Sequence, residues 1–200
     1  MIDFKDVTFI VPIRFDSEDR RNNFKISMNY LLRNFDTNII VLDSDKESNE
    51  EFVKSVSENL LKYSPDAVII VVSNPMDTMT YLVNKSFDIP KNKIIGMGGI
   101  LDSSRFKTYI SKFTKHSQHD IDAMVIGGHG DTTMIPLTSL AKCKDELLSK
   151  IVSKDELSKI ASETMVGGAT LTKLLGTSAW YAPGASVSYL VNAIVNDTKE

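Results

Sequence analysis

His129 stands between glycines in "AMVIGGHGDTTMIPL", residues 123 to 137, where an apolar run stops on Gly127 and Gly128. An imidazole titrates near neutrality and can therefore take or give a proton. Glycines beside it permit backbone angles and close approach that other residues forbid. Two readings stand at this point: a catalytic or ligand-binding histidine, or a structural turn. A histidine base works best with a carboxylate that orients its ring. Asp131, two residues away, is one candidate, although so close a neighbour has little reach toward the ring and equally suits a turn cap. Asp102, at the head of "LDSSRF", is the stronger candidate, and Arg105, three residues on, shares its helical face. A carboxylate for the histidine beside a guanidinium for an anionic substrate makes a coherent site, although an Asp followed by an Arg also suits an ordinary helix start. Asn74, in the "SNP" turn, adds an amide that both donates and accepts.

Other candidates carry less chemistry. His116 and His119 in "TKHSQHDID" have spacing for a metal but sit in a polar, charged loop, and no metal is expected there. "GMGGILD" matches neither phosphate-loop pattern. Cys143 is the single cysteine, so no intramolecular disulfide forms. Met165, Trp180 and Tyr181 suit packing or a subunit interface.

Alternating strands and helices must position these residues. Apolar runs predict strands at 7–13, 38–43, 67–72, 94–96 and 122–126. Helical spacing joins Phe24, Met28, Leu31, Leu32 and Phe35, and Ser48 with Glu51 has capping-box spacing for the next helix. Further helices are predicted at 77–85, 102–113, 144–152 and 155–175, the last interrupted by Gly167 and Gly168. Pro183 is placed to start a final helix with Val187, Leu190, Val191, Ile194 and Val195 inward. This order implies an α/β fold with a mostly parallel sheet and helices on both faces. Ligands of such sheets bind beyond the C-terminal strand ends, which would gather Asp43, the Asn74 turn and the His129 loop if their strands share one sheet. Two hundred residues suffice for one large domain, and 42% hydrophobic with 24% charged residues is ordinary for a globular chain. A formal charge of -3 without a basic cluster argues against nucleic acid. No apolar run approaches the roughly 18 residues of a membrane span, and the expectation is a cytoplasmic protein.

Four segments, "YSPDAVIIVVSNPMDTMTYLV", "KNKIIGMGGILDSSRF", "VIGGHGDTTMIPL" and "GTSAWYAPGASV", appear in family order and resemble the malate dehydrogenase branch of the lactate and malate dehydrogenase superfamily. The likeness runs from about residue 49 to 200 and includes the 27-residue interval from Asp102 to His129. It implies a Rossmann-like sheet fused to a truncated dehydrogenase catalytic domain. It also implies NAD as cofactor and malate and oxaloacetate as substrates, in the tricarboxylic acid cycle, with a homo-oligomer as the common assembly. By resemblance His129 is the proton acceptor and donor, Asp102 its paired carboxylate and Arg105 the substrate clamp. Asn74 would contact substrate and nicotinamide, and Ser178 would line the nicotinamide pocket.

Residues 1 to 46 depart from that family. They lack the glycine-rich GxGxxG turn, and "VTFIVPIRFDSEDRRNNFKISMNYLLRNFDTNIIVLDSD" resembles instead the start of a GT-A type glycosyltransferase, with Asp43 at a nucleobase-contacting position. The mobile arginine loop of the dehydrogenases would precede residue 49 and is missing; Arg20 and Arg21 lie in the wrong context to replace it. Family members also continue beyond the last helix. The expected division is therefore 1–46, a strand-helix-strand unit; 47–100, the remainder of the nucleotide-binding sheet; and 101–200, a partial catalytic domain. The expected function is a malate dehydrogenase with weak or absent turnover. The alternatives are a glycosyltransferase-like nucleotide-sugar module and a non-catalytic chimera.

Overall fold

In the computed structural model, residues 2–13, 35–43, 49–176 and 179–199 are described, the first two stretches by their backbone alone. The chain is α/β and divides into two units, Met1–Gly96 and Met97–Glu200.

Both strand pairs of the first unit are parallel. β1 (Ile2–Ile13) pairs with β2 (Phe35–Asp43) from Thr8 opposite Asn38 to Ile13 opposite Asp43, with a register shift between Asp3 and Thr8. Phe35, whose spacing suggested a helix, instead opens β2 opposite Ile2. A periodic apolar residue next to a strand satisfies either pattern, and the ladder decides. Phe24, Met28, Leu31, Leu32, Arg20, Arg21 and Ser48 lie outside the described residues. β3 (Ile69–Val71) pairs with β4 (Ile94–Gly96). Around them pack α1 (Asn49–Tyr63) and α2 (Met76–Ser86), and Leu60, Ile69, Val71, Met79 and Val83 are buried together. Each such side chain contributes about 1.5–3 kcal/mol on burial.

The second unit is built on α3 (Gly99–Thr114), which presents Leu101, Asp102, Phe106 and Ile110 on its buried face. The run at 122–126 is not one strand of a parallel sheet. It splits into β5 (Ile121–Asp122) and β6 (Val125–Gly127), and both pair antiparallel. β6 meets β7 (Met134–Pro136); β5 meets β8 (Lys142–Cys143), which turns into β9 (Glu146–Leu147). Short return loops join β6 to β7 and β8 to β9, and periodicity alone does not reveal the antiparallel pairing they permit. Part of the expected helix at 144–152 is therefore hairpin, with Lys144 at φ 54, and only α4 (Leu148–Ile151) is helical.

α5 (Lys154–Leu175) runs through Gly167 and Gly168 without a break, contrary to the expected interruption. It opens on a capping box in which the Ser153 side chain accepts from the Glu156 N–H and the Ser153 N–H donates to Glu156 Oε2 at 2.8 Å. α6 (Tyr181–Asn196) begins two residues before Pro183. Its buried residues are Ser186 and Val191, whereas Ile194 and Val195, expected inward, are exposed. Phe106, Ile110, Val125, Met134, Leu148 and Ile160 form the core under α3 and α5. No helix among the described residues is long and apolar enough to cross a membrane.

Candidate active site

The first turn of α3 places Asp102 where its own N–H bonds the Gly98 carbonyl at 3.1 Å and its side chain points into the unit. A helical step of three brings Arg105 beside it, and Arg105 Nη1 donates to Asp102 Oδ1 at 3.2 Å. The histidine comes from the other direction. Ser103 Oγ accepts the Val125 N–H at 3.0 Å, which ties the start of β6 to α3. β6 then ends at Gly127, with φ +89, where a Cβ would stand 2.5 Å from the Thr133 carbonyl oxygen. Only glycine fits that backbone. The loop beyond it is closed by Gly128 N–H to Thr133 O at 3.2 Å and Thr133 N–H to Gly130 O at 2.9 Å. His129 rides on that loop, and its Nδ1 lies 2.6 Å from Asp102 Oδ2.

One carboxylate thus serves two partners, the Arg105 guanidinium through Oδ1 and the His129 imidazole through Oδ2. Asp102 is 2% exposed, against 13% for the His129 side chain and 19% for that of Arg105. An ionised carboxylate only accepts hydrogen bonds, so Nδ1 carries the proton that points at Asp102 and Nε2 is the nitrogen turned to proton exchange. A carboxylate so deeply placed needs charged or hydrogen-bonding partners on both oxygens, and it has them. The arrangement can hold an imidazole in one tautomer, offset the charge when it is protonated, and present an arginine beside it. Such a pair can move a proton at a hydroxyl or ketone next to a bound carboxylate.

The structure therefore joins His129, Asp102 and Arg105, and it selects Asp102 over the exposed Asp131 as the carboxylate on Nδ1. Asn74 belongs to the first unit, in the turn between β3 and α2, and the Asn74–Pro75 peptide is cis. Asp43 is the last residue of β2. Ser178 lies outside the described residues. β6 pairs with β7 in its own two-stranded sheet, so the one-sheet premise that gathered Asp43, the Asn74 turn and His129 does not hold. His116 follows Lys115, which ends α3 in the left-handed conformation, and His119 lies in a short turn. Among the described residues no three His, Cys, Asp or Glu side chains come together as a metal site.

Sequence reasoning missed two supports of this site. Ser103 had no motif to mark it, since its role depends on a strand 22 residues away. Gly167 and Gly168 were visible only as helix breakers, yet they face Tyr109 and Arg105 across the contact between α5 and α3.

Comparison with known proteins follows the same division. Residues 46–96 match the lactate/malate dehydrogenase NAD-binding domain, and residues 100–200 match the α/β C-terminal domain of the same family. The malate dehydrogenase of Flavobacterium johnsoniae is 65% identical over 152 residues, which are 76% of this chain and 49% of that one. That of Bacteroides fragilis is 59% identical over the same span. The chain spans about half the length of the curated relatives it matches, 49% for the first. Among solved structures, malate dehydrogenase from Salinibacter ruber superposes with a TM-score of 0.78 at 30% identity, covering 96% of this chain and 70% of that one. The enzyme from Aeropyrum pernix gives 0.80 at 28%, covering 98% and 71%. The fold is thus the Rossmann-type α/β fold of these enzymes. The glycosyltransferase resemblance of residues 1–46 finds no support in these matches.

Proposed function

The chain belongs to the lactate/malate dehydrogenase family, and from that premise we propose that it carries a site of malate dehydrogenase type, interconverting malate and oxaloacetate with NAD. The observation that supports this most is the Asp102 carboxylate shared between His129 Nδ1 and Arg105 Nη1.

In this reading the Arg105 fork takes a substrate carboxylate through two parallel bonds, a match that a lysine makes less specifically. The C2 hydroxyl lies toward His129 Nε2. Its proton passes to that nitrogen while Nδ1–H stays on Asp102, whose charge offsets the imidazolium as it forms. In the opposite direction protonated His129 polarises the ketone and returns the proton. NAD, when bound, supplies the acceptor for the hydride from C2. Asn74 would hold substrate and the nicotinamide end, and Ser178 would line the nicotinamide pocket.

The residues fit one end of the cofactor better than the other. Asn74 follows β3 of a parallel pair, beyond the strand ends where ligands of such sheets bind. The pyrophosphate end calls for a glycine turn and a helix N-terminus. No glycine precedes Gly96, and the residues after β1, "RFDSED", include three carboxylates. Each lost charge-assisted hydrogen bond is worth about 1.5–3 kcal/mol, so several lost together weaken the cofactor by orders of magnitude. Turnover by this chain is therefore weak or absent, in keeping with the missing mobile arginine loop. A cytoplasmic homo-oligomer completes the proposal; exposed Leu174, Leu175 and Tyr181 supply apolar surface for self-association.

Two measurements test it. Calorimetry with oxalate, a small planar dicarboxylate, should show binding that R105A removes; binding indifferent to R105A would overturn the site assignment. NADH oxidation with oxaloacetate should be near background. Turnover of about 1 s⁻¹ or more, abolished by H129A, would overturn the weak-turnover reading.

A further inference from the structure

We propose that Gly167 and Gly168 of α5 form the seat that positions Arg105, so that the close approach of the α5 backbone, together with Asp102, sets where the guanidinium meets a carboxylate. This rests on the ligand-binding reading of Arg105 above. A Cβ built on Gly168 would lie 3.1 Å from Arg105 Nη1 and 3.6 Å from both Cζ and Nη2. One built on Gly167 would lie 3.3 Å from the Tyr109 hydroxyl, 3.4 Å from Tyr109 Cε2 and 3.8 Å from Arg105 Cδ. The stem of the arginine thus runs over Gly167 and its head over Gly168.

Neither glycine has a positive φ, which only Gly127 and Gly176 show among the described glycines. The pair is therefore not used for an unusual backbone. Both lie inside a continuous helix, where glycine is a poor helix former, and what they provide there is proximity. Nη1 donates to Asp102 Oδ1 at 3.2 Å on one side, and on the other it occupies space that a Cβ at position 168 would crowd. An arginine otherwise has many rotamers, and two fixed neighbours reduce them to one fork orientation. A Cβ at position 168 stands tighter against Nη1 than an ordinary contact, so the guanidinium must give by a few tenths of an ångström to admit it. Gly167 and Gly168 are positioning residues, acting on ligand through Arg105. Gly184 in α6, which has nothing within 4 Å of an added Cβ, provides the contrast.

The test uses the chain with oxalate as probe. G168A should weaken oxalate binding and G168L should weaken it further, by about tenfold or more, since small misplacements of a binding group are costly. G184A should bind like the unaltered chain. In an R105A background G168A should change nothing more. Thermal unfolding provides the second measurement: G168A should lower the Tm when Arg105 is present and raise it when Arg105 is replaced by alanine, because alanine is then only the better helix former. If R105A abolishes oxalate binding but G168L binds normally, the seat is overturned and the function of Arg105 stands. If R105A leaves binding intact, the reading of Arg105 falls and this proposal with it. Equal Tm changes for G168A in both backgrounds would also overturn the seat.

Discussion

His129 Nδ1 and Asp102 Oδ2 are 2.6 Å apart although 27 residues separate them, and the carboxylate is 2% exposed. A carboxylate oxygen accepts hydrogen bonds, so a contact this short favours the ring proton on Nδ1. The consequences can be measured without turnover.

Neutral His129 should be the Nδ1–H tautomer, visible in long-range proton–nitrogen correlation spectra. A predominant Nε2–H tautomer would contradict the site. D102A should lose about 3 kcal/mol of stability in urea unfolding, because it leaves Arg105 and His129 without their shared buried partner. If turnover is detected, D102N should reduce it by about 10²- to 10⁴-fold.

S103A should cost about 1 kcal/mol, the usual worth of a hydrogen bond, by stranding the Val125 N–H. Because that bond ties β6 to α3, amide exchange should quicken at Val125 and in the His129 loop more than in α5. Uniform acceleration would show that Ser103 supports the unit generally.

Glu156 has its carboxyl held below the usual range by the Ser153 backbone N–H first, then by the Ser153 hydroxyl. A depressed acid stabilises the fold above its unfolded value, and the contribution is lost as pH falls through the folded value. Below the ordinary value of 4.5, the native chain should therefore lose Tm more steeply than E156Q. Parallel acid profiles would remove the capping box as the cause.

Cys143 responds in the opposite range. Burial pushes its thiol up, with the Thr114 hydroxyl lowering it in part. The unfolded thiol ionises first as pH rises, so this contribution to stability is present below about 9.0 and declines above it. C143A should flatten the alkaline decline. Alkylation by iodoacetamide at pH 8 should follow unfolding, and fast alkylation of the folded chain would show the thiol to be accessible.

The elements were legible in the sequence to different degrees. Long periodic helices and β-branched runs were correct in kind: α3 extends the expected helix, and β4 covers the expected residues 94–96. Errors arose where a contact outside the segment decides its conformation. The Cys143–Glu146 hairpin turns on Lys144 with no glycine to mark it, and α5 continues through two glycines because α3 packs against them.

The same distinction applies to the site. By itself the sequence determined which residues have the right chemistry, a histidine among glycines and an Asp–Arg pair one turn apart, because residue type and short-range spacing are local properties. The tertiary structure decided that Asp102 and not Asp131 meets His129, that Ser103 fastens β6, and that a glycine pair in a distant helix lies under Arg105. Those are through-space relations set by how α3, α5 and the β6–β7 hairpin pack. No residue carries that information in its immediate neighbours.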